Sequence, residues 1–534
     1  MNQTDKAQIG KTECPLFRIT DVLLIFLVAI GIRFANLVFI NDNPYFNNPV
    51  MDEFYHDDWA DEIAQGNLFD RAPFYRAPAY PVFLGLQYSI IGSDLFTARF
   101  INSIIGSLNC ILVYLLAGIL FNRKTAILAG ITACFYGMLI YYDASILSVP
   151  LEIFLTLCGV IVLLLAMDTE KAWMWFLCGI IFAFGIITRP TIAIFLPVVL
   201  ILALNKCDKC KSKFSPLISV ILGCLSPISV VYIINCIQGD SAVIVAWNGG
   251  INFYLGNNEM ANGWSATSPL LRGAWFSGYQ DAVTIAEEAS GHSLSYAGVS
   301  NYWMKQGLSY ITGDLISWVS LMFKKSYYLI SNVEIPNNQS IDYIRNLSFI
   351  MRIPLFKYGV VFSLALPGMI FASSVSGKGK LRGKLLITKS FVLIYGFAVV
   401  LFFVNARYRM PIIPFLISFA SYSVFEVVKS FMGNNWMVFL KFTGTASAAA
   451  FLSFSSFTSG DFSTSSQMHY SLGNQYFSQG ELSRAISEYE MSVQIAPANL
   501  DAWNNLASAY AETGDYQSAY AALSTSIESC ELII

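Results

Sequence analysis

Six carboxylate side chains lie within eleven consecutive residues in the first part of the chain. They are Asp52, Glu53, Asp57, Asp58, Asp61 and Glu62. A positioned carboxylate can act as a general base toward a hydroxyl group, and such a base contributes about 10²–10⁴ in rate. Alternatively, Asp52, His56 and Asp57 could hold a divalent cation, because oxygen-rich clusters suit magnesium, calcium or manganese. The spacing alone leaves both alternatives open.

The residues among these acids predict a helix. Tyr55, Trp59 and Ile63 recur at four-residue spacing, which indicates one apolar helix face, and Gly66 is suited to end the helix. Acids also cap helices and favour the positive end of the helix dipole, so part of the cluster has a purely structural explanation. That explanation does not require six acids, and we expect at least one of them to be functional.

Four arginines lie in short segments that follow the acids or connect apolar runs. They are Arg76, Arg189, Arg407 and Arg409. Guanidinium groups bind phosphate in a bidentate manner, and charges at membrane depth usually have a function or a partner. The alternatives are contact with lipid headgroups or pairing with Asp143 and Glu152. For the four arginines as a set, we predict a phosphate site beside the acidic helix.

The composition identifies the elements that must position these residues. Hydrophobic residues make up 55% of the 534 residues and charged residues 13%, whereas soluble proteins carry about 25% charged residues. This excludes a disordered chain and an ordinary soluble enzyme. The net charge of −3 gives no indication of nucleic-acid binding.

Eleven apolar segments are candidate membrane spans. They are residues 20–40, 97–121, 125–143, 148–167, 172–188, 191–204, 214–235, 358–374, 390–404, 411–425 and 436–458.

Positive residues predict the orientation of these segments. Basic residues precede the first span and follow each even-numbered span, which places those ends inside the cell. Residues 41–96, residues 236–357 and everything after about residue 459 are then outside. Both long outer segments are rich in aromatic residues, and we expect interfacial helices at 80–91 and 314–330.

The C-terminal part repeats itself with a period of 34 residues. Leu472, Gly480 and Ala485 in the first unit correspond to Leu506, Gly514 and Ala519 in the second. This pattern is typical of tetratricopeptide repeats, with units at about 466–497 and 498–531. Such repeats bind proteins or peptides, so we expect a protein acceptor or partner here; the alternative is a stabilising appendage.

The motifs together resemble one family of membrane enzymes. They are Asp52-Glu53 with Trp59, Ile63-Ala64 and Gly66, then residues 75–81, Thr188-Arg189-Pro190, residues 249–258 and residues 406–411. In this order they resemble the bacterial branch of the dolichyl-phosphate-mannose–protein mannosyltransferase-like enzymes of glycosyltransferase family 39. That branch belongs to the multispanning GT-C glycosyltransferases.

The resemblance implies an inverting transferase that moves a sugar from a polyprenyl-phosphate donor to an acceptor hydroxyl of a protein, glycan or lipid. It implies Asp52 as the base, with Glu53 orienting it or binding sugar, although Asp57 and Asp58 stay alternatives. The four arginines would bind the donor phosphate. We further expect Tyr75, His56 and Asp143 near the substrate, and a loop with Asn252, Asn257 and Asn258 that closes over sugar or acceptor; an ordinary turn is the alternative for that loop.

The expected protein is therefore all-α and polytopic, with about eleven membrane helices in a GT-C-like arrangement and a C-terminal α-solenoid. We predict a cytoplasmic segment at 1–19, a transferase domain at 20–460 and a periplasmic repeat domain at 461–534 of a bacterial inner-membrane protein. No cofactor is required, with a divalent cation as the minority alternative. A transporter of lipid-linked sugar and a non-catalytic scaffold are the competing functions.

Overall fold

The computed structural model describes residues 17–169, 171–207, 215–239, 243–266, 275–337, 341–353, 356–375, 379–456, 465–497 and 499–531. Within these ranges the chain forms helices and connecting segments, with one isolated bridge between Tyr136 and Phe356. Most of the predicted N-terminal segment, the predicted domain boundary near residue 460 and the apolar residues Leu532, Ile533 and Ile534 lie outside the described residues.

The helices fall into three groups along the chain. The first group is α1 (Ile19–Ile40), α2 (Pro44–Asn47), α3 (Asp52–Ala64), α4 (Ala79–Ile91), α5 (Leu95–Leu120), α6 (Arg123–Cys134), α7 (Gly137–Asp143), α8 (Val149–Ala166), α9 (Ala172–Thr188), α10 (Leu196–Cys207) and α11 (Ser215–Gln238). The second is α12 (Gly249–Gly256), α13 (Trp275–Ser290), α14 (Tyr296–Gly313), α15 (Leu315–Ile330), α16 (Ile341–Leu347), α17 (Phe349–Arg352), α18 (Tyr358–Val375), α19 (Lys380–Leu401), α20 (Ala406–Arg409), α21 (Ile413–Met432) and α22 (Trp436–Phe454). The third is α23 (Ser465–Ser478), α24 (Leu482–Ile495), α25 (Leu500–Glu512) and α26 (Tyr516–Glu531). Short 3-10 helices occupy Pro190–Phe195 and Met410–Ile412.

The prediction of an all-α, multispanning chain is confirmed. Seven helices of the described residues are long and apolar enough to cross a membrane, and four shorter apolar helices accompany them. Each of the eleven predicted segments contains a helix, but the number of spans stays a prediction. The predicted interfacial helices correspond to α4 and α15.

One predicted span is broken in the structure. The segment 125–143 forms α6 and α7, which are separated at Phe135 and Tyr136. Tyr136 has an extended backbone, and the carbonyl of Phe135 accepts a hydrogen bond from the Phe356 amide at 3.2 Å. The break places Tyr136 beside Phe356, which lies just before α18.

The membrane helices pack closely through small residues. A Cβ atom on Gly179 of α9 would lie 2.3 Å from the Val220 carbonyl oxygen, and one on Gly223 of α11 would lie 2.3 Å from the Phe176 carbonyl oxygen. Small residues allow such close approach where the lipid provides no hydrophobic driving force. At the centre of the first helices, α5 packs against α1, α6 and α8.

The C-terminal helices confirm the repeat. The turns after α23 and α25 contain Gly480 and Gly514, whose φ angles are +76° and +84°, a conformation that favours glycine. Ala485 and Leu506 are buried between the helices. Ile527, near the end of α26, is exposed.

Candidate active site

Helix α3 distributes the six acids over different faces. Each residue turns the helix by about 100°, so Asp52 and His56 share one face while Glu53 and Asp57 share another. The apolar residues Tyr55 and Trp59 are buried, as the spacing predicts. The acids therefore have different partners, and only some of them can contribute to one site.

Asp52 lies between two guanidinium groups from distant parts of the chain. Its Oδ1 accepts a hydrogen bond from Nη1 of Arg76 at 2.5 Å, and its Oδ2 accepts one from Nη1 of Arg407. The side chains of Asp52 and Arg407 are 14% and 7% exposed. The preceding residue, Met51, has a φ of +53°, which is strained for a residue other than glycine. Such strain is often found at functional sites.

The charge of this site is fixed by the arginines. Burial raises the pKa of Asp52, but the guanidinium groups of Arg76 and Arg407 outweigh burial and hold the pKa well below its ordinary value. Burial, assisted by Arg76, lowers the pKa of His56 to about 3, so this imidazole is neutral at physiological pH. His56 Nδ1 lies 3.1 Å from the Ile146 carbonyl oxygen.

Backbone contacts with distant segments of the chain position both arginines. The Phe74 amide donates to Oδ1 of Asn235 at 3.0 Å, and the Tyr75 carbonyl accepts from the Asn248 amide at 3.2 Å, which fixes the backbone before Arg76. On the other side, the Ala406 amide donates to the Ile335 carbonyl at 2.9 Å. The site is thus assembled from three regions that are far apart in sequence.

The remaining acids of α3 have partners of their own. Oε2 of Glu53 accepts a hydrogen bond from Nη2 of Arg99 at 2.9 Å. Asp57 accepts from the Tyr88 hydroxyl at 2.6 Å, on a different face from Asp52. Asp58, Asp61 and Glu62 pair respectively with Arg71, Ser93 and Arg71.

The structure does not bring Asp52, His56 and Asp57 together as metal ligands. No group of three histidine, cysteine or carboxylate side chains is placed to hold a metal ion within the described ranges. The reason is helical geometry: Asp57 lies about 140° around the helix from Asp52. The predicted cation alternative therefore has no preformed site in this part of the chain.

The other two predicted arginines lie apart from Asp52. Nη1 of Arg189 is 3.6 Å from Oε2 of Glu152, and its guanidinium lies 4.2 Å from the ring centre of Tyr408. Arg409 donates to Oε2 of Glu334 at 2.7 Å and to three backbone carbonyls. These carbonyls belong to Tyr328, Ser331 and Val333.

Several residues that were predicted to contact substrate instead contact other side chains of the protein. Asp143 pairs with Arg33 of α1 at 2.7 Å, and not with the predicted arginines. Tyr75 contacts the ring of Trp247 at 4.8 Å. The predicted loop is largely helical: Asn252 lies in α12, with Asn257 and Asn258 directly after it.

The side-chain amides of Asn257 and Asn258 hold the end of α12 in place. Asn257 donates to the Leu401 carbonyl at 2.8 Å and accepts from Nε1 of Trp318 at 3.1 Å. Asn258 donates to the Tyr254 carbonyl at 3.0 Å. These contacts position the segment before Arg407 and leave Asn257 fully buried.

Sequence reasoning did not select three buried cations. Arg33 and Arg99 are the only basic residues in the long apolar helices α1 and α5, and this signal could have identified them. Lys325 gives a weaker signal because it follows another lysine. Its Nζ donates to the Gly256 carbonyl at 2.7 Å, and burial lowers its pKa to about 7.

Two kinds of known protein family match parts of the chain. The described residues define a class of protein: a multispanning helical membrane protein with buried ion pairs and C-terminal helical repeats. Residues 75–234 match the family described as dolichyl-phosphate-mannose-protein mannosyltransferase. Residues 473–514 match the TPR repeat and residues 500–531 the tetratricopeptide repeat. The chain therefore contains a domain of that glycosyltransferase family followed by tetratricopeptide repeats, as the resemblance implied.

Solved structures of an oligosaccharyltransferase from Archaeoglobus fulgidus are also similar. The complex with zinc and sulfate has 12% identity and a TM-score of 0.44, and the match covers 85% of this chain and 55% of that one. AglB in complex with an inhibitory peptide and a dolichol-phosphate has 13% identity, a TM-score of 0.40 and coverages of 85% and 57%. The chain thus spans little more than half of their length. No curated protein matches the chain significantly.

Proposed function

We propose that this protein is an inverting glycosyltransferase that moves a sugar from a polyprenyl-phosphate donor to an acceptor hydroxyl. The observation that carries the proposal is Asp52, held between Arg76 and Arg407 beside a bundle of membrane helices. The family match supports it, because residues 75–234 include Arg76 and Arg189. We place the reaction at the outer face of the bacterial inner membrane, on the basis of the distribution of basic residues in the loops.

The two arginines can exchange one anion for another. In the free enzyme the carboxylate of Asp52 neutralises them, and the donor phosphate replaces it when the lipid binds. Guanidinium groups match the geometry of phosphate oxygens, which favours this exchange. Once the arginines contact phosphate, less positive charge acts on Asp52, so its pKa rises toward the ordinary value and it becomes a better base.

The transfer then needs few further groups. The acceptor oxygen attacks the anomeric carbon, its proton passes to Asp52, and the bond between that carbon and the phosphate oxygen breaks. Polyprenyl phosphate leaves with the electron pair, and Arg76 and Arg407 stabilise its charge. Attack opposite the leaving group inverts the anomeric centre.

The other predicted residues receive supporting roles. Arg189, which lies on the ring of Tyr408 next to Arg407, is a third phosphate contact. The contacts of Arg409 with Glu334 and backbone carbonyls favour a structural role over phosphate binding. Asn257 and Asn258 hold the outer segment in the same way.

The repeats would present the acceptor. Tetratricopeptide repeats bind protein segments, so a protein hydroxyl is the acceptor that we favour over a glycan or a lipid. Transport of lipid-linked sugar and a scaffold function are the competing hypotheses, and both predict no cleavage of the donor.

Release of polyprenyl phosphate tests the proposal. The full chain is reconstituted in proteoliposomes with polyprenyl-phosphate mannose as the first probe, then with lipid-linked sugars from bacterial membranes, and the released lipid phosphate is quantified by mass spectrometry. We expect Asp52→Asn to lower release at least 100-fold, within the range for a general base. The matched control is Asp58→Asn, on the same helix but paired with Arg71.

The result also separates the alternatives. Full activity of Asp52→Asn would refute the assignment of the base. Donor that crosses the bilayer intact, without release of lipid phosphate from any probe, would favour a transporter. If neither release nor transport occurs with any probe and the chain still binds a protein, the scaffold is favoured.

A further inference from the structure

The repeat segment contacts the membrane domain at one short helix. The hydroxyl of Tyr45 in α2 donates a hydrogen bond to the Met468 carbonyl in α23 at 3.3 Å. The ring of Tyr45 also packs edge-on against Tyr343 in α16, with ring centres 6.1 Å apart. The side chain of Asn43 caps α2 by accepting from the Tyr45 amide at 3.1 Å. The repeats therefore touch a defined element of the outer segment.

The same short helix is held from the other side by Arg99. Nη2 of Arg99 donates to the carbonyls of Tyr45 and Phe46 at 3.4 and 3.2 Å, and the guanidinium lies 4.8 Å from the ring centre of Phe46. Nη1 of Arg99 donates to the Ala144 carbonyl at 2.8 Å. Arg99 is 3% exposed, so these contacts are shielded from solvent.

Arg99 also contacts the first turn of α3. Its Nη2 donates to Oε2 of Glu53 at 2.9 Å, and both side chains are almost fully buried. Glu53 directly follows Asp52, so any shift of Arg99 acts on the backbone that carries the proposed base. A continuous series of contacts thus runs from Met468 through Tyr45, Arg99 and Glu53.

The region around Arg99, where α2 and α3 meet, is not fully packed. Next to Arg99 lies a narrow recess with room for about one or two water molecules. Within the described part of the chain, Nε of Arg99 and Nδ2 of Asn36 are buried without a hydrogen-bond partner. A fully satisfied polar network makes the surrounding core rigid, and the network around Arg99 is not fully satisfied.

We propose that Arg99 is a positioning residue through which the docking of the repeats on α2 sets the position of Asp52. When an acceptor protein binds the repeats and tightens their contact with Tyr45, Arg99 holds Glu53 more firmly and the first turn of α3 becomes more ordered. Binding at the repeats and transfer at Asp52 are then coupled. This inference rests on the proposed transferase function.

Two variants of the full chain test the coupling. Tyr45→Phe removes the hydroxyl and keeps the ring, and we expect kcat for donor cleavage to fall about fivefold with an unchanged donor KM, as for one lost hydrogen bond. Tyr510→Phe is the control, because it loses a hydroxyl contact to Glu490 within the repeats and away from α2. Arg99→Lys keeps a positive charge but has one nitrogen in place of two, so it cannot contact the α2 carbonyls, Glu53 and the Ala144 carbonyl together, and we expect about a tenfold fall in kcat.

A second control distinguishes an effect of Arg99→Lys on kcat from an effect on folding. Arg33→Lys alters the buried pair with Asp143 in the same membrane domain. We expect it to reduce the amount of folded protein without changing kcat per folded molecule. Equal effects of the Arg33 and Arg99 variants on kcat would refute a positioning role for Arg99.

Hydrogen exchange gives a readout that does not depend on activity. We expect faster exchange of the Tyr55 and His56 amides in Tyr45→Phe and unchanged exchange in Tyr510→Phe. Unchanged exchange in both would overturn the coupling even if Asp52→Asn abolishes transfer. If Asp52→Asn stays active while exchange responds as expected, the coupling stands and the proposed base is wrong.

Discussion

Arg407 and Arg409 are two residues apart in one short helix and have opposite surroundings. Arg407 contacts the carboxylate of Asp52, and this carboxylate is the only side chain with which it forms an ion pair among the described residues. Arg409 is 1% exposed, donates to three backbone carbonyls and pairs with Glu334. A separation of two residues turns a helix by about 200°, so the two side chains leave the helix on opposite sides.

The difference shows how to distinguish a binding arginine from a structural one. Backbone carbonyls cannot leave, so Arg409 is committed to holding the segment around Ser331 and Glu334. The carboxylate of Asp52 can be replaced by another anion, so Arg407 can bind a ligand. The residue type and the sequence motif are the same for both, and only the partners differ.

Among the variants that test this contrast, Arg409→Gln is expected to have the largest effect, a loss of stability. Removal of the guanidinium leaves Glu334 and several carbonyls without their charged partner, which costs about 3–5 kcal/mol for a buried pair. We expect a large loss of thermal stability in detergent, with turnover per folded molecule nearly unchanged. Arg345→Gln, in an exposed pair with Asp342, is the control. Normal stability with weakened donor binding would reverse the roles of the two arginines.

Arg407→Gln should affect catalysis more than stability. Loss of one group that stabilises the departing phosphate lowers kcat/KM about 10²–10³-fold. Arg407→Lys keeps the positive charge but loses the planar guanidinium, so we expect a kcat/KM between those of the native protein and Arg407→Gln. Steady-state release of lipid phosphate measures both variants. A fall in melting temperature as large as that of Arg409→Gln would contradict an exchangeable role for Arg407.

The pH dependence of kcat/KM in Arg76→Gln tests whether the arginines around Asp52 set its charge. The arginines hold the pKa of Asp52 below its ordinary value, so the native carboxylate stays ionised and kcat/KM has no acid limb from Asp52 between pH 5 and 8. With one arginine fewer, less positive charge opposes the effect of burial, so this pKa rises and the acid limb moves toward neutral pH. Profiles of kcat/KM from pH 4 to 8 measure the shift. Superimposable profiles would show that Arg76 does not set the charge of Asp52.

The same pairing affects stability in acid. Because the folded-state pKa of Asp52 is lowered, its ion pairs stabilise the protein above a pH of about 4, and this contribution is lost as the pH falls toward the folded-state pKa. Asp52→Asn should therefore flatten part of the acid dependence of unfolding.

Asp58→Asn is expected to have the smallest effect. Its carboxylate is 43% exposed in the pair with Arg71, and exposed pairs contribute about 0–1 kcal/mol. We expect activity and stability within a fewfold of the native protein at low and high salt. A loss comparable to that of Asp52→Asn would mean that exposure does not distinguish the acids of α3.

Local patterns in the sequence predicted much of this protein. The apolar segments, the helix around Trp59 and the 34-residue repeat follow from periodicity and composition, which depend on neighbours along the chain. The position of Asp52 at the start of α3 follows in the same way. The break between α6 and α7 was not predictable, because it involves Phe356, which lies more than two hundred residues away.

The sequence by itself determined that the chain is a helical membrane protein with acids at one helix and arginines in several loops. Only the tertiary structure decided which acid meets which arginine: Asp52 with Arg76 and Arg407, Glu53 with Arg99, Asp143 with Arg33. The physical reason is that periodicity fixes the face on which a side chain lies, whereas the partner of a buried charge depends on how distant segments pack. A charge in a membrane protein must find some partner, but its sequence neighbours do not specify which one.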